Sequence, residues 1–313
     1  MIQTYHVPIM LSEALDLLKP ERGGIYIDGT LGGGGHSSGI LSRLPEDGHL
    51  YGIDRDMEAI EEAGQALAGY NNFTAVHGNF FDMRNLLAAR GVTGVDGVIL
   101  DLGVSSHQLD ERDRGFSYNY EAKLDMRMNR SDVFSAYDVV NGYSRQQLYD
   151  VIKNYGEDRY SSRIANAICA ARSKKNIETT LELSDIIKTA IPAAARRDGP
   201  HPAKRTFQAI RIEVNGELKG LETAIRNAVD LLNPDGVIAI ISFHSLEARI
   251  VKTTFRSLAN PCTCPKEAPV CVCGKKPVVE LMTRKPITPG EMELEANPRS
   301  RSAELRAAKK IKS

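Results

Sequence analysis

Short apolar runs alternate with amphipathic stretches through the first hundred residues. Runs at 25–27, 49–53, 73–76 and 97–101 have the length and bulk of buried strands, while 12–18, 37–43, 57–68 and 83–90 carry helical spacing. Strand and helix in alternation predict an α/β fold, a parallel sheet covered by helices. At Gly103 the rhythm breaks. Residues 105–130 are polar and turn-rich, with no clean period of two or 3.6, and helical patterns resume at 144–153, 160–172 and 181–190, the last capped by Thr179 or Thr180. A strand returns only at 237–242, after a helix ending at Leu232 and the turn NPDG. A helix at 246–258 and a strand at 278–283 follow; for the last residues, periodicity leaves strand and helix both open. The simplest account is a helical insertion, 107–206, between two parts of one sheet domain, 1–106 and 207–313. Insertions at strand carboxyl ends surround a ligand, so this one is expected to wall or cover the substrate.

The chain is organised around DGTLGGGGHSS, residues 28–38. An acid ending a strand, then glycines, then a helix start is a nucleotide-type binding turn, because the backbone comes close to the ligand and free N–H groups point at it. Asp54 ends the second strand twenty residues beyond Gly34, where a carboxylate meets ribose hydroxyls. The GxxxxG spacing of a P-loop is present, but Gly35 and His36 stand where its phosphate-binding Lys would begin. Asp28, Gly32, Gly34, Asp54 and Asp101 fall on one rim of the sheet. On fold logic alone, NAD and S-adenosylmethionine both fit such a rim.

With 313 residues there is ample length for a large core. Forty basic and forty acidic side chains cancel, so a nucleic-acid partner must be held by local patches. No apolar run approaches the ~20 residues needed to span a bilayer, and MIQTYHVPIM lacks a signal-peptide pattern. A cytoplasmic protein with no membrane partner is expected.

HVPIM at 6–10, DGTLGGGGHS at 28–37, GIDRD at 52–56, DLGVSSHQLD at 101–110, RGFSY at 114–118, LDMRM at 124–128, RTFQAIRIEVN at 205–215 and ISFHSLEARIVK at 241–252 resemble the bacterial RsmH (MraW) family. The resemblance spans essentially the whole chain. It implies a Rossmann-like, seven-stranded class I methyltransferase core with an inserted helical domain. The implied activity is S-adenosylmethionine-dependent methylation of N4 of a cytidine in the decoding region of 16S rRNA, in the small ribosomal subunit. In the family pattern Gly34, Gly35 and His36 line the methionine and ribose side, Asp54 accepts from the ribose, and Phe80 lies at the adenine. Asp101 and Gln108 also resemble donor contacts.

The sulfonium methyl is already activated, so the protein mainly aligns nitrogen, carbon and sulfur. An acceptor near the cytosine amine localises its lone pair and takes up the developing charge. Asp101 and the carbonyls of Leu102 and Gly103 are placed for this. Many amino-methyltransferases carry Asn or Asp followed by Pro-Pro-aromatic here, whereas this chain reads DLGVSS, which leaves Asp101 to organise the donor, the base or both. Ser105, with Ser106 and His107, is a candidate for orienting the base. His244 is a candidate for a substrate-side or orienting role, against a structural hydrogen bond. For RNA contact there are two basic runs, Arg196, Arg197, Lys204 and Arg205, and Arg299, Arg301, Arg306, Lys309, Lys310 and Lys312, with Phe116, Tyr118 and Tyr120 as aromatic companions. Cys262, Cys264, Cys271 and Cys273 supply enough thiolates for a structural zinc, although their CxC pairs are tighter than the usual CxxC; free thiols and disulfides are the alternatives. Cys169, on an Ala-rich helix, reads as a small buried hydrophobe. A homodimer is left open. The rival functions are a methyltransferase for another amine and a noncatalytic RNA-binding assembly factor.

Overall fold

The computed structural model describes residues 8–197, 199, 201–265 and 272–312. The chain forms two compact units, Met1–Gly103 with Gly220–Ser313, and Val104–Lys219.

The first unit is built on a seven-stranded sheet of order β3-β2-β1-β4-β5-β7-β6. Its strands are β1 (Ile25–Asp28), β2 (His49–Asp54), β3 (Phe73–His77), β4 (Val95–Asp101), β5 (Leu232–Ser242), β6 (Val279–Leu281) and β7 (Glu304–Lys310). The first five are parallel, and β7 runs antiparallel between β5 and β6. Val98, Ile99 and Leu100 are buried in succession, as in a strand covered on both faces. Leu15, Leu18, Tyr26, Leu50, Ile99, Ile241 and Leu305 belong to one apolar core.

One stretch differs from the sequence expectation, and another that periodicity left open takes one of its two forms. The NPDG turn lies inside β5: Leu232 pairs with Val95, and pairing resumes at Val237 with Gly97. The intervening residues loop out of the ladder, with Asp235 in the left-handed region at φ 67°. The tail is a strand because Leu305, Ala307 and Ala308 are buried between two neighbours. Several of its cations are held by the chain itself: Lys309 pairs with Glu280 at 3.2 Å, Lys312 with Asp235 at 2.8 Å, and Lys310 donates to the Val229 carbonyl.

The second unit is helical, with Leu148, Ile152, Ile164, Ile168, Leu183, Ile187, Phe207 and Ile210 in its core. Helix Lys204–Asn215 packs on helix Arg145–Gly156. Thr179, not Thr180, caps helix Thr180–Ala190, through a capping box with Glu182. The polar stretch hides a period of two. Leu124, Met126 and Met128 are all buried, while Asp125 and Arg127 between them pair with each other at 2.7 Å. Phe116 is a core residue here rather than an exposed RNA platform, whereas Tyr120 is 45% exposed under the Arg112 guanidinium.

Asn215 ties this irregular segment down. Its side chain accepts from Met128 N–H at 2.8 Å and donates to the Met126 and Arg211 carbonyls at 2.8 and 2.9 Å. Truncation leaves buried backbone groups unpaired, each costing about 1–3 kcal/mol. Asn215→Ala is therefore expected to destabilise the protein by roughly 2–4 kcal/mol, read from the denaturant midpoint. A loss below about 1 kcal/mol would mean that the clamp is not needed.

Candidate active site

The strand order puts a topological switch at β1, with β2 and β3 on one side and β4 onward on the other. Asp28 is level with Gly52 of β2 and Ile99 of β4. Asp54 and Asp101 therefore each stand two residues beyond Asp28, on the strands flanking it. Three carboxyls share one rim.

The glycine turn is held to this rim by hydrogen bonds. Gly32 N–H donates to Asp54 Oδ2 at 2.8 Å, Leu31 N–H to the Ile53 carbonyl, and Gly34 N–H to the Leu31 carbonyl. Gly34 has φ 81°, and a Cβ there would sit 3.2–3.3 Å from Leu67 and Ala63. Gly29 passes so close to Leu100 that a Cβ would lie 2.4 Å from its methyl. Gly35 opens helix Gly35–Arg43. Asp28 accepts from Ser37 Oγ at 2.8 Å and from Thr30 N–H at 3.1 Å, and burial pushes its carboxyl up.

Asp54 accepts Gly32 N–H on one oxygen and Asp56 N–H, at 2.9 Å, on the other. Each oxygen keeps a lone pair. Burial outweighs these bonds and pushes the carboxyl up to about 6. Asp101 is likewise pushed up to about 6, by burial first, against the nearby His36. Its backbone N–H donates to Thr30 Oγ1 at 2.6 Å, and its Oδ1 is buried without a hydrogen-bond partner. The Oδ2 lies 3.7 Å from His36 Nδ1. His36 Nε2 is 3.0 Å from the Ile9 carbonyl, which can only accept, so Nε2 carries the proton and Nδ1 faces Asp101.

Phe80 opens a short 3-10 turn capped by Asn79 and packs edge-on to Phe81, half-buried. His244 caps helix Ser245–Ala259. Its Nδ1 accepts from Glu247 N–H at 3.4 Å, and its Nε2 lies 3.2 Å from Glu247 Oε1, out of line for a hydrogen bond. Ser105 and Gln108 belong to the helical unit, where they form a reciprocal capping box at 3.2 Å. Thus Asp28, Gly32, Gly34, His36, Asp54 and Asp101 come together, while His244 and Ser105 are each engaged in local helix caps.

Thr30, Ser37 and Ile9 were not singled out from the sequence. The Asp28-Gly-Thr30 spacing is a turn signature that carries Thr30; the contact through the Ile9 carbonyl has no such signal. Among the cysteines, the sulfurs of Cys262, Cys264 and Cys273 all lie within 4.8 Å of one another, with Cys262 and Cys273 at 3.8 Å. Val272 N–H donates to Cys264 Sγ at 3.4 Å. Cys271 lies outside the described residues. Cys169 is partly buried against the helical core. No helix among the described residues is long and apolar enough to cross a membrane.

A solved rRNA methylase from Streptococcus thermophilus superposes with a TM-score of 0.40 at 11% identity, covering 100% of this chain and 99% of that one. TrmN from Thermus thermophilus does so with a TM-score of 0.44 at 10% identity, covering 96% and 48%. Both are too distant to bear on function. Ribosomal RNA small subunit methyltransferase H of Clostridium botulinum is 53% identical over 306 residues, 98% of this chain and 99% of that protein. Residues 3–311 match the profile of the MraW methylase family, and the chain belongs to that family.

Proposed function

We propose that this protein transfers a methyl group from S-adenosylmethionine to the exocyclic N4 amine of a cytidine in the decoding region of 16S rRNA, within the small ribosomal subunit. Similarity to a small-subunit rRNA methyltransferase, 53% identical over 98% of this chain, supports the substrate. The observation that carries the chemistry is the rim of three carboxyls around a glycine turn, with a buried, unpartnered oxygen on Asp101.

These residues fit the donor. Asp54 has a free lone pair on each oxygen for the two ribose hydroxyls, and the glycine turn from Gly32 to Gly35 lets backbone approach the methionine end. Phe80 offers a ring for adenine. Asp28 braces the turn through Thr30 and Ser37. Gln108 is assigned to the donor side as well. When bound, the donor supplies a methyl group on a positively charged sulfur, already activated for transfer.

What remains for the chain is to position the amine and accept its proton. Asp101 is assigned this role. A carboxyl near 6 is a stronger base than an ordinary Asp, yet it is mostly ionised at neutral pH. The Oδ1 accepts from the amine, drawing its lone pair out of the ring, and the proton leaves onto the carboxylate after transfer, with His36 alongside to stabilise it. Ser105 and His244 are assigned as positioning residues, since each already holds a helix start that follows a strand end. The helical domain is assigned to substrate recognition. Small ribosomal subunits are assembled in the cytoplasm, where this enzyme is placed, and the reading requires no second copy of the chain.

The test supplies unmethylated small subunits and labelled donor, then digests the RNA. Label in N4-methylcytidine is expected. Label on a carbon or on another base contradicts the substrate assignment, and confirmed donor binding with no transfer points to the assembly role.

The cysteine block is assigned a structural zinc through Cys262, Cys264, Cys271 and Cys273. Zinc–sulfur bonds of about 2.3 Å in a tetrahedron set sulfurs about 3.8 Å apart, which is the separation of Cys262 and Cys273. A disulfide needs about 2.05 Å. Protein purified without chelator is expected to carry about one zinc per chain and to lose it in Cys262→Ser. Metal-free wild-type protein after zinc supplementation would exclude the site.

A further inference from the structure

A second cluster of charge lies on the first unit, at the far edge of its sheet. Arg306 of β7, Lys252 and Arg256 of helix Ser245–Ala259, and Arg284 just past β6 line one small cleft with Phe255 and Thr283. Elsewhere in the chain several cations are held by carboxylates: Arg211 with Glu217, Arg226 with Glu222, Lys309 with Glu280. The lining of this cleft holds four cations and no acid. Glu304 lies 3.8 Å from the Arg306 guanidinium, and among the described residues Lys252, Arg256 and Arg284 have no ion pair.

Arg306 is the telling member. Its side chain is only 11% exposed, and its Nε is buried without a hydrogen-bond partner. A buried guanidinium lacking donors' partners is costly. Burial holds it below the usual arginine range, and Arg256 nearby pushes the same way against Glu304. Lys252 and Arg256, four residues apart on one helix, repel each other as well. Thr283 Oγ1 accepts from Ala307 N–H, which leaves its hydroxyl hydrogen to donate. The cleft thus offers forked and single donors, a hydroxyl and excess positive charge, the requirements of a tetrahedral oxyanion.

We propose that this cleft, formed by Lys252, Arg256, Arg284 and Arg306, seats a backbone phosphodiester of the RNA substrate and so anchors the core domain on the ribosomal subunit apart from the methyl-transfer rim. The inference rests on the RNA-modifying reading above. A phosphate contact carries no sequence information, so the cleft contributes affinity and register rather than choice of base.

The triple variant Lys252→Gln, Arg256→Gln, Arg284→Gln tests it, since none of these side chains makes a hydrogen bond that folding requires. Binding to purified unmethylated small ribosomal subunits is measured across salt concentrations, beside donor binding by calorimetry. Near 0.15 M salt, affinity for the subunit is expected to fall about thirtyfold, and the log–log salt dependence to become shallower by roughly 1. Donor affinity stays unchanged, and kcat at saturating subunit is kept. A variant that binds subunits within about twofold of wild type with an unaltered salt slope overturns the cleft assignment. Wild-type protein that binds subunits through these residues but transfers no methyl group overturns the enzymatic reading and leaves the cleft standing.

Discussion

Asp101→Asn is expected to lower kcat by roughly 10²–10⁴-fold, the range for loss of a positioned proton acceptor, with donor affinity changed far less. The amide has the shape of the carboxylate but cannot take the proton, and half of its polar end donates where an acceptor is needed. The backbone bond from Asp101 to Thr30 is untouched by the change. Stability is expected to move the other way. A carboxyl whose folded value is raised to about 6 stabilises the fold only while it is protonated; that contribution is full below its unfolded value and is lost as pH rises through about 6. At neutral pH the wild-type protein therefore carries an ionised, partly unsatisfied Asp101, and the variant is relieved of it. Thermal melts at neutral pH should place the variant at or above the wild type. A clear drop in Tm would reassign Asp101 as a structural residue, and wild-type turnover would remove it from the chemistry.

Asp54→Ala is expected to weaken donor binding by roughly 10–100-fold for each hydrogen bond lost to the charged group, at about 1.5–3 kcal/mol apiece. Part of the loss comes through the turn, because Asp54 also holds Gly32 and Asp56 N–H groups. Asp54→Asn retains one acceptor oxygen and should fall between wild type and Ala. The wild-type affinity carries a pH signature. Ribose hydroxyls donate to the ionised carboxylate, and burial holds Asp54 at about 6, so binding should tighten as pH rises through that value and level off above it. Calorimetry in buffers of different ionisation heat should show proton release on binding at acid pH. In Asp54→Ala both the tightening and the release should diminish. A flat pH profile for the wild type would mean that the donor does not engage a carboxylate here.

Much of this site was legible in the sequence because strand ends are. A strand closing in Asp puts a carboxyl on the rim whatever the register, so Asp28, Asp54 and Asp101 share the rim on sequence grounds alone. What periodicity does not encode is which polar groups meet across 25 or more residues. The approach of His36 to the Ile9 carbonyl and to Asp101, and the Thr30 hydroxyl under Asp101, depend on how helix Gly35–Arg43 and β4 sit on β1. The caps were partly readable. Thr179 or Thr180 is a residue type that signals a cap, whereas His244, whose Nδ1 accepts from Glu247 N–H, is not. The alternation at Leu124, Met126 and Met128 was masked because it spans only five residues in a segment otherwise rich in charge. The last strand was undecided because its inward face is made of alanines beside Leu305, and alanine serves helix and strand alike.

The central claim is that the donor lies across the glycine turn with its reactive end toward β4. A crystal structure of the protein with S-adenosylhomocysteine tests it most directly. Ribose hydroxyls within about 2.5–3.0 Å of the Asp54 oxygens, with the sulfur facing Asp101, would match the account; a ligand seated away from that rim would contradict it.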